Sequence, residues 1–144
     1  MKECRDIPGK ELFQYYTDKG KRKSIDSGMV NQYIREAGGN DFSAKDFRTW
    51  AGSLQAIKNF ITIGETTTKT EIKKNVTNML DAVSAKLGNT RNICRKYYIH
   101  PELIKLYEEN KLIKYIGESS HQKIEAKGLT PDEQLLMKIL KRCI

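Results

Sequence analysis

Cysteine is scarce in this chain. Cys4, Cys94 and Cys143 are odd in number and far apart, which excludes a disulfide framework and any CxxC metal or redox pair. No apolar run approaches the roughly 20 residues of a membrane-spanning helix, and the opening MKECRDIPGK lacks the apolar stretch of a signal peptide. A soluble, cytoplasmic protein without a membrane partner is expected. The two histidines, His100 and His121, stand far apart with no HExxH pattern, so no metal site is expected. Gly20 and the Gly38-Gly39 pair build neither GxxxxGK[ST] nor GxGxxG. ATP and dinucleotides therefore have no cradle, and no cofactor is expected. Serine hydrolase and thiol protease motifs are missing as well. The sequon Asn75-Val76-Thr77 falls inside a predicted helix of a chain with no secretion signal, and is noise.

What is present is one domain's worth of sequence with an excess of cations. The 144 residues suffice for a single core. With 26 Lys and Arg against 18 Asp and Glu the formal charge is +8. The pI is about 9.4, a balance that favours polyanionic partners, nucleic acid or anionic lipid. A composition of 38% hydrophobic and 31% charged residues suits a small, well-solvated globular domain.

Hydrophobic spacing predicts a mainly helical chain with one short hairpin. Leu12 to Tyr16 and Lys23 to Ile25 flank Thr17-Asp18-Lys19-Gly20-Lys21, which carries turn chemistry. Ser27 is a candidate cap for a helix through Met29, Val30, Tyr33, Ile34 and Ala37, ended by Gly38-Gly39. Ser43 with Asp46 starts a longer helix whose stripe is Phe47, Trp50, Leu54, Ile57 and Ile61. Residues 62 to 70 read as a loop, and a second stripe follows in Ile72, Val76, Met79, Leu80, Val83 and Leu87, closed by Gly88. Asn89-Thr90 restarts a short helix through Ile93 and Tyr97, and Pro101 opens another with Leu103, Ile104 and Tyr107. Residues 110 to 129 give no clear pattern. Thr130, Pro131 and Glu133 announce a last helix carrying Leu135, Leu136, Ile139 and Leu140.

Two clusters join cations to other polar groups. In Lys45-Asp46-Phe47-Arg48-Thr49-Trp50, Lys45 and Arg48 share a helix face while Phe47 and Trp50 point to the core. Cations in a first helical turn oppose the macrodipole, and that cost tilts the reading from a solvated turn toward use. The second cluster runs from Gly88 to Pro101 and interleaves Arg91, Arg95 and Lys96 with Tyr97 and Tyr98. That is a composition suited to a backbone phosphate beside a tyrosine hydroxyl. Propensity alone supports the structural alternative, with Tyr97 in the core and Arg95 and Lys96 on the surface.

KDFRTWAG (45 to 52), LGNT (87 to 90) and CRKYYIHP (94 to 101) together resemble the catalytic domain of type IB DNA topoisomerases, above all the small bacterial and poxvirus-like enzymes. PGKELFQYY (8 to 16) and GLTPDEQLLMKIL (128 to 140) are similar to that family too, so the resemblance covers nearly the whole chain. It implies the helical C-terminal part of the DNA breaking-rejoining fold shared by tyrosine recombinases and these topoisomerases. It also implies a tyrosine that becomes joined to a DNA 3′ phosphate, helped by two arginines, a lysine and a His or Asn. Carried over, the second arginine is Arg48, the His or Asn position is Asn89 and the nucleophile is Tyr98. Tyr97 competes for that role, but successive helical side chains diverge by about 100° and Tyr97 follows Ile93 on the apolar face. The family's spacing from the His or Asn position also selects Tyr98. Asn89 can equally be a helix cap. Lys45, Arg91, Arg95 and Lys96 are candidate contacts to the DNA backbone.

The family's first arginine and general-acid lysine lie upstream of the PGKELFQYY-like segment, and both are expected to be missing from this chain. Lys21 and Lys23 follow that segment instead of preceding it. The expectation is therefore a single-domain, C-terminal fragment of a topoisomerase catalytic domain, monomeric, nucleoid-associated and inactive alone. Its partner is double-stranded DNA. A tyrosine recombinase fragment and a non-catalytic DNA-binding module are the alternatives. Recombinases usually carry His where this chain has Lys45, and have a shorter path from the second arginine to the tyrosine.

Overall fold

Between Gln14 and Ser24 the chain folds back on itself. In the computed structural model, which describes residues 11–39, 41–66, 68–120 and 128–142, strands β1 (Gln14–Tyr16) and β2 (Arg22–Ser24) pair antiparallel with Tyr15 opposite Lys23. Thr17 organises the turn: its carbonyl accepts the Gly20 N–H at 2.8 Å and its hydroxyl the Lys21 N–H at 3.2 Å. The expected hairpin is present. Cys4, Cys143 and His121 lie outside the described residues.

The chain divides into two compact units, Met1–Ala44 and Lys45–Ile144. In the first, the hairpin is followed by α1 (Ser27–Gly38), ended by Gly39. Its cap is Asp26 and not Ser27, because the Asp26 carboxylate accepts the Met29 N–H at 2.9 Å. The helix forms where the apolar spacing places it, yet none of its residues is buried and Tyr33 is 71% exposed.

The second unit is helical and holds the core. It comprises α2 (Ala44–Ile63, starting at the boundary), α3 (Lys69–Leu87), the single turn α4 (Arg91–Ile93), a π-helical turn (Cys94–Tyr98), α5 (Pro101–Glu108), α6 (Leu112–Ser120) and α7 (Pro131–Arg142). The stripe expected on α3 is the observed one, with Ile72, Val76, Met79, Leu80 and Val83 buried. They pack with Phe60, Cys94, Ile99, Leu103, Leu112, Leu136 and Ile139. Phe60 stacks on Tyr107 with ring centroids 4.0 Å apart. The Asn75 amide donates to Thr66 Oγ1 and Tyr107 Oη, both at 2.9 Å, pinning the loop between α2 and α3 to the core.

On α2 the buried face is rotated from the expected one. It consists of Gly52, Ser53, Ala56, Ile57 and Phe60, while Phe47 is 60% exposed. Small residues line this face because neighbouring main chain packs there, and main chain leaves no trace in a hydrophobic pattern. The last helix begins as expected: Thr130 N–H donates to Glu133 Oε2 at 2.8 Å and Glu133 N–H to the Thr130 hydroxyl at 3.4 Å, a reciprocal capping box. The Trp50 indole N–H reaches the same carboxylate at 3.3 Å and ties α2 to α7.

Candidate active site

The C-terminus of α3 is where the candidate residues converge. Gly88 takes a left-handed φ of 64°, which costs glycine little, and its N–H and that of Asn89 both turn back to the Ser84 carbonyl. This turn leaves the Leu87 carbonyl accepting two side chains, Arg48 Nη2 at 2.8 Å and Asn89 Nδ2 at 3.1 Å. The Arg48 guanidinium carbon in turn lies 4.8 Å from the ring centroid of Tyr98. Arg48, Asn89 and Tyr98 are each half-buried, and the three come together from α2, the α3 terminus and the π turn. The helix cap at this point is Thr90, whose hydroxyl accepts the Ile93 N–H at 3.4 Å.

The π turn sets which tyrosine faces inward. Its i→i+5 bonding widens the helix, and the buried pair becomes Cys94 and, just past the turn, Ile99. Ile93 and Tyr97, expected on the apolar face, are instead 39% and 45% exposed, whereas Tyr98 packs against the core. Beside it, burial pushes the Cys94 thiol up from its ordinary value, with the positive field of Arg48 opposing.

Of the candidate backbone contacts, Lys45 and Lys96 stand together. Their Nζ atoms lie 5.5 and 5.1 Å from the Tyr97 ring centroid, putting two cations on one exposed tyrosine. Arg91 and Arg95 are elsewhere engaged: Arg91 forms a two-point ion pair with Asp81, and Arg95 Nη2 is 3.9 Å from Glu108. A shallow groove lined by Asp81, Ser84, Gly88, Asn89, Thr90 and Ile93 opens on the Asn89 side. Among the described residues no group of His, Cys, Asp and Glu is arranged to hold a metal ion, and no helix is long and apolar enough to cross a membrane.

Three α2 residues that the sequence reading did not single out touch the main chain of the tyrosine segment. The Thr49 hydroxyl lies 3.2 Å from the Tyr97 carbonyl, a Cβ on Gly52 would fall 2.2 Å from the Tyr98 carbonyl oxygen, and the His100 N–H donates to Ser53 Oγ at 3.0 Å. The available signal was the run of small residues Ala51-Gly52-Ser53.

A mainly helical chain with one antiparallel hairpin fits the type IB DNA topoisomerases. A family model described as "Eukaryotic DNA topoisomerase I, catalytic core" matches residues 1–125, and the chain belongs to that family. It is 30% identical over 119 residues to the DNA topoisomerase 1B of Acanthamoeba polyphaga mimivirus, an alignment covering 76% of this chain and 35% of the viral protein. The chain thus spans about a third of the length of that relative.

Proposed function

We propose that this chain is the C-terminal part of a type IB DNA topoisomerase catalytic domain, and that Tyr98 is its nucleophile. The observation that carries the reading is the Arg48 guanidinium lying on the Tyr98 ring while sharing the Leu87 carbonyl with the Asn89 amide. A guanidinium has five N–H donors, and the Leu87 bond takes one of them. Those remaining, with Asn89, suit the non-bridging oxygens of a phosphodiester placed at the Tyr98 hydroxyl. Tyr98 Oη gives its proton to solvent water as it bonds to phosphorus, and the bond from phosphorus to the 5′ oxygen breaks. The leaving oxygen takes up a proton and departs as a 5′-hydroxyl. Donors fixed in advance stabilise the doubly anionic transition state, and the phosphotyrosyl bond retains the energy needed for religation. One strand turns about the other between the two steps, which relaxes supercoils without ATP or metal. Duplex DNA is the partner, bound by a monomer, with Lys45 and Lys96 the backbone contacts nearest Tyr98 and with Arg91 and Arg95 further along.

The family resemblance calls for a further arginine and a general-acid lysine, which an upstream half would supply. Relaxation of supercoiled plasmid in chelator, without ATP, tests the proposal. The chain joined to an upstream half supplying those two residues is expected to relax the plasmid, and the 144 residues alone are not. Loss of a general acid costs about 10²- to 10⁴-fold, and loss of a phosphate donor multiplies that deficit. Failure of the joined protein contradicts the assignment of function, and relaxation by the isolated chain at ordinary enzyme levels contradicts its reading as a fragment.

A further inference from the structure

Helix ends leave their last carbonyls without partners, and the π turn that presents Tyr98 ends within one residue of it, at Ile99. The main chain here is nevertheless held by two hydrogen bonds from one face of α2 and packs closely on that face between them. The Thr49 hydroxyl offers its single proton to two carbonyls, Lys45 of its own helix at 3.0 Å and Tyr97 at 3.2 Å. One helical turn on, the Tyr98 carbonyl oxygen occupies the place where any side chain on Gly52 would begin, 2.2 Å from an ideal Cβ. Next to it buried Ser53 accepts the His100 N–H at 3.0 Å. Positions 49, 52 and 53 share a face by helical spacing, and the preceding residue of the same helix, Arg48, lies on the Tyr98 ring.

We propose that Thr49, Gly52 and Ser53 are positioning residues forming a main-chain track that fixes the line along which Tyr98 attacks phosphorus, an inference that rests on Tyr98 being the nucleophile. Backbone and ring are then both referenced to one 20-residue helix. The phenol oxygen keeps its place relative to Arg48 when the hydrophobic core breathes. Glycine at position 52 is required by the close approach. An ordinary contact begins at 3.4 Å, so alanine there forces the Tyr98 carbonyl back by about 1 Å. Misplacement of that size at a reacting group costs about 10²-fold in rate.

The test uses the catalytically complete protein, this chain with its upstream half, on a duplex whose cleaved strand cannot be religated until an acceptor is added. Gly52→Ala is expected to slow single-turnover cleavage and religation by the same factor, about 10²-fold. The balance between them and the affinity for uncleaved duplex should stay at wild-type values, because a misaligned attack raises one barrier crossed in both directions. Thr49→Val, which keeps the volume and removes the hydroxyl, is expected to slow both steps by about 10-fold, and Thr49→Ser to restore them. If Gly52→Ala does not fold, the two Thr49 variants decide. Wild-type rates in the folded variants, or weakened DNA binding with unchanged single-turnover rates, overturn the track while leaving the nucleophile in place. A wild-type protein that forms no covalent adduct overturns the nucleophile, and the track with it.

Discussion

The guanidinium of Arg48 lies over the ring of Tyr98 at 4.8 Å while one of its nitrogens donates to the Leu87 carbonyl at 2.8 Å. Two anchors therefore fix the orientation of the remaining N–H groups before any DNA arrives. In the complete protein, Arg48→Ala is expected to bind duplex DNA near wild-type affinity yet cleave it about 10²- to 10³-fold more slowly, as seen when one preorganised donor to a developing oxyanion is removed. Arg48→Lys should recover only part of the rate, because an ammonium cannot span two phosphate oxygens. Single-turnover cleavage read beside fluorescence anisotropy separates the two quantities. Equal losses in binding and cleavage would show that Arg48 acts on the ground state alone.

The parts of this arrangement differ in how legible they were. The α3 stripe from Ile72 to Val83 and the Thr130–Glu133 capping box could be read directly, since both are side-chain patterns at helical spacing. The face of α2 could not. Gly52, Ser53 and Ala56 carry almost no hydrophobic signal, and the exposed Phe47 drew the expected stripe toward itself. Tyr97 was placed on the apolar face by assuming 3.6 residues per turn, but the winding from Cys94 to Tyr98 is π-helical and turns Tyr97 outward. Family resemblance supplied Arg48, Asn89 and Tyr98 as candidates. Their meeting point, the Leu87 carbonyl, is a main-chain atom, and no residue type announces it.

The two-cation surface around Tyr97 should govern the salt dependence of binding. Affinity for duplex DNA is expected to fall linearly with salt on a logarithmic scale, and Lys45→Ala or Lys96→Ala should each lower the slope by about one counterion. Binding titrations from low to moderate salt measure this. A slope unchanged in both variants would place the DNA on another face.

The Asp81 carboxylate engages Arg91 at two points and leaves only part of its guanidinium, beside a negative charge, for DNA. Asp81 also lines the groove on the Asn89 side. Asp81→Asn removes a negative charge and frees a guanidinium, so duplex affinity at low salt is expected to rise several-fold. The pair is exposed, and such pairs add at most about 1 kcal/mol to folding, so the melting temperature should barely move. Weaker binding in Asp81→Asn would mean that Arg91 must be held by Asp81 to reach the phosphate.

Glu133 gives the fold a specific acid response. The Thr130 N–H, then the Thr130 hydroxyl and the Trp50 indole N–H, hold its carboxylate below the ordinary value of 4.5. A carboxylate with a depressed folded-state pKa contributes stability that is fully present above its unfolded value and is lost as pH falls through the folded one. Thermal melts from neutral pH down through the acid range should therefore show Glu133→Gln losing less stability on acidification than wild type. An identical acid profile for the two would contradict the role of this box.

Mapping the covalent adduct identifies the nucleophile. The complete protein is incubated with a suicide duplex labelled at the scissile 3′ phosphate, digested, and the labelled peptide sequenced. Label is expected on Tyr98, with no adduct in Tyr98→Phe although DNA binding is retained, and with adduct formation largely unchanged in Tyr97→Phe. Label on Tyr97, or an adduct that survives in Tyr98→Phe, would contradict the assignment of Tyr98.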